Sequence, residues 1–104
     1  MNEPVVRLLI RHGALYLSAA ACEQYFSNID AVALVQRGGA LVVLPVRYAA
    51  AGGYLLKRRN RRGDRVVSAP DFFRACGFDD DAAVALEARW DDRQAALVAS
   101  GLAN

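Results

Sequence analysis

The chain has little of what catalytic and metal sites are built from. Its 104 residues include one histidine, two cysteines, one methionine and one tryptophan. His12 has no cysteine, histidine or carboxylate partner at ligand spacing, which argues against a zinc site, and it reads as a hairpin-turn residue. Cys22 and Cys76 are too few for a disulfide scaffold and fall on apolar helix faces, where a thiol behaves as a small hydrophobe. Asp79-Asp80-Asp81 lacks the spacing of a calcium loop and reads as a polar connection. There is no glycine-rich phosphate loop, nucleophile elbow or paired acid and base, so no enzymatic activity, cofactor or metal is expected. No apolar run approaches the roughly 18 residues of a membrane span. Met1-Asn2-Glu3-Pro4 lacks the basic start of a secretory leader. The expectation is a cytoplasmic protein with reduced thiols and no membrane association.

What the sequence does have is apolar bulk and separated charge. Hydrophobic residues make up 55% and charged residues 23%, the balance of a folded domain rather than a disordered chain. The formal net charge is only +2, from thirteen basic and eleven acidic residues. Six of those thirteen lie between Lys57 and Arg65 (Lys57, Arg58, Arg59, Arg61, Arg62 and Arg65) against one acid, Asp64. The remainder of the chain is acidic overall. Separation of this kind bears on partners, not on fold.

Local patterns predict mostly strands. Val5–Ile10 is β-branched and aliphatic; Arg11–Gly13 breaks it and Ala14–Ser18 resumes it, as in a hairpin. Ala19–Phe26 reads as a short helix with Cys22, Tyr25 and Phe26 on one face, ended at Ser27-Asn28, since asparagine tolerates the left-handed cap. Strands are predicted at Ala31–Gln36 and Ala40–Val46 about a turn at Arg37–Gly39. Tyr48–Gly53 reads as a linker. Beyond it, Tyr54–Arg59 and Asp64–Ser68 are expected to pair across Asn60–Gly63. A helix over Ala69–Cys76 follows, with Ser68 as N-cap, Pro70 in the first turn, Asp71 completing a capping box and Gly77 just past its end. Ala83–Trp90 alternates, with Val84, Leu86, Ala88 and Trp90 on one face. Asp91–Gln94 forms a turn before the last strand, Ala95–Ala99.

The two halves share this order, and some letters. AVAL at 31–34 recurs at 83–86, ALV at 40–42 recurs at 96–98, and Ser18-Ala19 matches Ser68-Ala69. The expected fold is mainly β with two short helices (α+β). Residues 1–104 form one domain of two ββαββ repeats, 1–47 and 53–104, with 48–52 as linker. A unit of about fifty residues cannot bury both its sheet and its helix alone. Ala40–Val46 is apolar on both faces, so an intertwined core is expected.

The second half, with a basic hairpin, then Arg65-Val66-Val67, then Pro70 and Arg74, Gly77, and a strand around Val84 and Leu86, resembles the AbrB/SpoVT swapped-hairpin family. Two such units in one chain resemble its MraZ-like, double-SpoVT branch. The resemblance implies a small β-barrel of interleaved hairpins, usually oligomeric, that contacts DNA through arginines near the first hairpin, in bacterial transcription regulators or antitoxins. The first half has Leu15, Ala20 and Gln24 at the matching places, so any contact is expected to be asymmetric within the chain.

On this reading Lys57, Arg58, Arg59, Arg61, Arg62 and Arg65 hold duplex phosphates, guanidinium to phosphate being a bidentate, charge-assisted pairing. Arg74 is expected to add a base or phosphate contact from its helix. Apart from Tyr54 no aromatic is interleaved with the basic run, which favours a backbone binder over a base-stacking one. The alternative is a non-catalytic assembly module of the same fold that docks an acidic protein on the basic hairpin. Either form is expected to be a homo-oligomer, a homodimer or larger.

Overall fold

The first hairpin turns on two residues. Strand β1 (Val6–Arg11) pairs with β2 (Ala14–Leu17) so that Arg11 faces Ala14. His12 and Gly13, both at positive φ (52° and 70°), span the gap. A two-residue turn of that hand matches the right-handed twist of the strands it joins. The computed structural model describes residues 5–47 and 52–101. Within them follow α1 (Ala19–Tyr25), β3 (Ala31–Arg37), β4 (Ala40–Val46), β5 (Tyr54–Leu55), β6 (Lys57–Arg58), β7 (Arg65–Ser68), α2 (Pro70–Ala75), β8 (Ala83–Asp91) and β9 (Ala96–Ser100). The expected linker falls largely outside the described residues, at 48–51.

All nine strands form one antiparallel sheet in the order β5-β3-β4-β9-β8-β1-β2-β7-β6. Hairpins from the two halves of the chain therefore alternate. β1–β2 lies between β8 and β7, and β8–β9 lies between β1 and β4. The sheet curls into a nearly closed barrel because its two end strands, β5 and β6, are successive pieces of one segment. Tyr54 and Leu55 pair with β3, whereas Lys57 and Arg58 pair with β7. Between them Leu56 is buried, its N–H donating to Asp30 O at 2.8 Å and its carbonyl accepting from Arg65 Nη1 at 3.0 Å. The single strand predicted at Tyr54–Arg59 is thus two short ones: the segment leaves one sheet edge for the other and breaks where it crosses.

One core fills the barrel. Leu8, Ile10, Leu15, Leu17, Leu41, Val43, Val67, Leu86 and Leu97 point inward from the strands, and Phe26 and Phe73 close it beside the helices. The alternation predicted for β8 holds: Leu86 and Ala88 are buried, while Ala85, Glu87 and Arg89 are exposed. Trp90 packs on the core edge with its ring stacked on Tyr25 of α1, centroids 5.0 Å apart.

The two helices start differently although a Ser-Ala pair lies at the start of each. Ser18 is the N-cap of α1, its hydroxyl accepting from Ala21 N at 3.2 Å. Ser68 instead ends β7, paired with Ala14. The N-cap of α2 is Ala69, with no side-chain cap, so the predicted capping box does not form. Ala69 N–H is satisfied by Gly13 O at 3.0 Å, and Pro70 at the first helical position has no N–H to satisfy. Asp71 is paired with Arg74 instead.

The far end of α2 follows its sequence signal. Gly77 sits at φ 98°, a left-handed position that glycine occupies without a Cβ clash. Gly77 N–H donates to Arg74 O and Phe78 N–H to Phe73 O, the double return of a Schellman motif. The Phe73 and Phe78 rings meet edge to face at 6.4 Å, the apolar contact that accompanies it. Beyond α1, whose C-cap is Phe26, Asn28 takes the expected left-handed conformation (φ 61°) in the turn that follows. The last strand begins at Ala96 rather than Ala95, because Ala95 is left-handed (φ 53°) and closes the turn from Asp91.

Candidate nucleic-acid interface

The basic run forms the β6–β7 hairpin and its loop. Arg59 N–H donates to Asp64 O at 2.7 Å and Gly63 N–H to Asn60 O at 3.3 Å. Asn60 clamps the loop from within: its Nδ2 donates to Asp64 Oδ2 at 2.9 Å and its Oδ1 accepts from Asp64 N–H at 3.2 Å. Lys57, Arg58, Arg59, Arg61 and Arg62 are all exposed on this frame.

The single acid of the run is turned inward. Asp64 Oδ1 accepts from Ala19 N–H, the first N–H of α1, at 2.7 Å. Its side chain keeps 17% exposure. With Ser18 taking Ala21 N–H, two donors of the first helical turn are satisfied, one of them by a residue 45 positions away. Arg62 Nη2 lies 3.3 Å from Asp64 Oδ2 while remaining 80% exposed.

The hydrogen bond from Asn60, then that from Ala19, hold the Asp64 carboxyl below the usual carboxylate range, with the Arg62 and Arg59 charges adding to them. A carboxyl whose folded value is depressed stabilises the fold above its unfolded value and loses that contribution as pH falls through the folded one. Asp64→Asn keeps the shape but removes the charge. It is expected to melt at a lower temperature than the parent at pH 7, with the gap closing at an acid pH below the usual carboxylate range, where the parent carboxyl protonates. Thermal melts at the two pH values check this; a gap that persists in acid would show that charge is not what Asp64 contributes. The comparison cancels Asp91, the other lowered carboxyl, which is held by Gln94 and Arg93 N–H.

The remaining predicted residues divide. Lys57 and Arg61 make no side-chain hydrogen bond or ion pair among the described residues. Arg58 folds over the loop, donating to Asn60 O (3.2 Å) and Arg61 O (3.4 Å). Arg65 lies opposite Leu17 in the register, on the core-facing side with Val67, and its guanidinium binds Leu56 O. It therefore closes the barrel as well as adding charge. Arg74 is held by Asp71 Oδ1 at 3.1 Å and Asp80 Oδ1 at 3.4 Å, and has no hydrogen bond or ion pair to the hairpin among the described residues. His12 sits in its turn, Nδ1 3.2 Å from Asp80 O. Burial raises both thiols, with Arg65 opposing this at Cys22.

Two residues absent from the sequence-based set belong to this surface. Tyr16 of β2 lies opposite Val66 of β7, and Val66 lies opposite Lys57. The guanidinium carbon of Arg59 stands 5.0 Å from the Tyr16 ring centre, and that of Arg11 stands 5.6 Å from it. Alternation in β1 and β2 places Arg11 and Tyr16 on the solvent face, but only the β2–β7 pairing sets them beside residue 59.

No group of three or more potential metal-ligating side chains occurs among the described residues, and none of their helices is long and apolar enough to cross a membrane. A broad open hollow of about 1070 Å³ follows β8 and β9, lined by both Glu87, Asp91, Asp92 and Arg89, Arg93. Comparison with protein-family models, curated proteins and solved structures returned no match to the chain.

Proposed function

We propose that the chain is a cytoplasmic, DNA-binding transcriptional regulator of the swapped-hairpin type, holding duplex phosphates on the β6–β7 hairpin. The observation that carries this reading is the disposition of Asp64. The one acid within the run is turned to Ala19 and Asn60, so the surrounding cations face outward, with only Arg62 in an ion pair among the described residues. Exposed cations fixed on a clamped hairpin suit a polyanion, since binding releases counterions and costs little ordering of the loop. Arg58 supports the loop while staying exposed, Arg65 contributes charge from the barrel wall, and Arg74 is the peripheral member of the set.

The fold half of the proposal is a duplicated ββαββ unit. The alternating hairpins support it, as does the fact that letter-matched positions meet in the sheet: Val42 of one ALV lies directly opposite Val98 of the other.

Fluorescence anisotropy with a labelled duplex, at salt raised from about 50 to 200 mM, tests the reading. Binding at low salt with a steep negative log–log slope is expected. Replacing Arg61 and Arg62 together by glutamine flattens that slope by about two. Absence of binding at the low-salt end overturns the proposal.

A second reading, a protein-assembly module, is favoured by one specific surface. On the outer side of the sheet Ala33 faces Leu44, and half-buried Val35 and Val98 flank the buried Val42 across β3, β4 and β9, while Leu55, 53% exposed, lies opposite Ala31 at the sheet end. An aliphatic outer face of this kind suits a second copy of the chain. Under this reading the basic hairpin receives an acidic partner instead. Recovery of one stoichiometric acidic protein, with no DNA binding at low salt, would select it.

A further inference from the structure

We infer that Arg11, Tyr16 and Arg59 form one anion-binding unit, so that the polynucleotide face includes the first hairpin as well as the basic one. The inference rests on the reading of the β6–β7 hairpin as a nucleic-acid interface.

The register sets out the geometry. Leu9, Tyr16, Val66 and Lys57 form one row across β1, β2, β7 and β6. Arg11 lies two residues beyond Leu9 and opposite Ala14. Arg59 lies two residues beyond Lys57, with its N–H bonded to Asp64 O next to the end of β7. Neighbouring strands run antiparallel, so the two arginines flank the Tyr16 row on opposite sides along the strands. Each then reaches back to the same ring, to 5.6 Å and 5.0 Å from its centre.

The two guanidinium carbons are therefore no more than 10.6 Å apart, the sum of those two distances. Neither Arg11 nor Arg59 has a carboxylate within ion-pair distance among the described residues. Among the described residues only Arg62 and Arg74 are ion-paired, so what sets Arg11 and Arg59 apart is the ring they share. Two like charges gathered on one ring without a counter-charge repel each other. The negative face of the ring offsets part of that repulsion and holds each guanidinium in place. An anion lying over both offsets the rest. Each group still has planar N–H donors to offer a phosphate oxygen.

Tyr16 is thus a positioning residue: it orders the cations and need not touch the ligand. The ligand is the phosphate backbone of a duplex that crosses from the β6–β7 loop toward β1. The one-sided contact expected from the first half's missing arginines gives way to a composite face in which Arg11 supplies that half's share.

Anisotropy with the same labelled duplex tests the inference through residues outside the basic run. Arg11→Gln is expected to weaken binding three- to tenfold at about 150 mM salt and to lower the log–log salt slope by about one. Tyr16→Phe, which keeps the ring, is expected to bind like the parent. Tyr16→Leu, which leaves the net charge unchanged, is expected to bind three- to tenfold more weakly. Circular dichroism melts verify that each variant is folded; if Tyr16→Leu is not, Arg11→Gln decides alone. A parent that binds while Arg11→Gln keeps its affinity and slope overturns the composite face and leaves the hairpin reading standing. A parent that fails to bind at low salt overturns the hairpin reading, and this inference with it.

Discussion

Phe73→Ala is expected to lower the unfolding free energy by about 3–5 kcal/mol, the range for emptying a fully buried aromatic site. Phe73 has no solvent exposure and meets Phe72 at 5.2 Å and Phe78 at 6.4 Å, both edge to face. Its removal takes away the transfer energy of the ring, the edge-to-face contacts and the apolar half of the Schellman closure at Gly77. The barrel cannot collapse freely into the space, because strands bonded on both sides do not shift one at a time. Domains of this size have only about 5–15 kcal/mol of stability in total, so the variant should be marginal. Urea titration followed by tryptophan fluorescence checks this, Trp90 being the single tryptophan. A shift of the midpoint with an unchanged slope is expected. A loss below about 1 kcal/mol would show that α2 is not integral to the core.

Gly13→Ala is expected to cost about 2–4 kcal/mol, from left-handed strain and overpacking together. Gly13 sits at φ 70°, and a Cβ there would lie 3.0 Å from both Cα and Cβ of Pro70. Because Gly13 O also accepts from Ala69 N–H, the added methyl pushes apart the contact that starts α2 in place of a side-chain cap. The turn that it strains carries Arg11 and His12. The variant should therefore lose duplex affinity along with stability, whereas Phe73→Ala should lose stability alone while it remains folded. Melting curves and anisotropy on the same samples separate the two. Unchanged melting of Gly13→Ala would contradict the tight approach of the first turn to Pro70.

The contrast between Ser18 and Ser68 shows why part of the architecture was legible and part was not. Both precede alanine and a helical stretch, and by local pattern Ser68 is the better N-cap, with Pro70 and Asp71 following. Yet Ser18 caps, while Ser68 is a strand residue paired with Ala14. The difference lies in what each helix start faces. That of α2 meets the turn at Gly13, whose carbonyl takes Ala69 N–H while Ser68 stays paired in the strand. That of α1 meets Asp64, which joins Ser18 rather than replacing it. Both partners are about fifty positions away along the chain, beyond the reach of any capping rule.

The candidate interface divides in the same way. Lys57, Arg59, Arg61 and Arg62 are exposed where a count of charges along the chain placed them. Arg65 was indistinguishable from them by composition, but its register against Leu17 sends it to Leu56 O. Arg74 had a motif to recommend it and turns out to be held by two acids. Tyr16 had no signal of its own.

By itself, then, the sequence determined the kinds of element, the turns between them, the apolar faces of β8 and the helices, and the gathering of positive charge on one hairpin. Each follows from interactions within a few residues: alternation, helical spacing, turn geometry and charge count. Tertiary structure alone decided the order of the nine strands, the break at Leu56 that nearly closes the barrel, the inward turn of Asp64, and the meeting of Arg11 and Arg59 on Tyr16. Those depend on which distant strands pair and in what register. Register is settled by filling one shared core, which no single segment can specify.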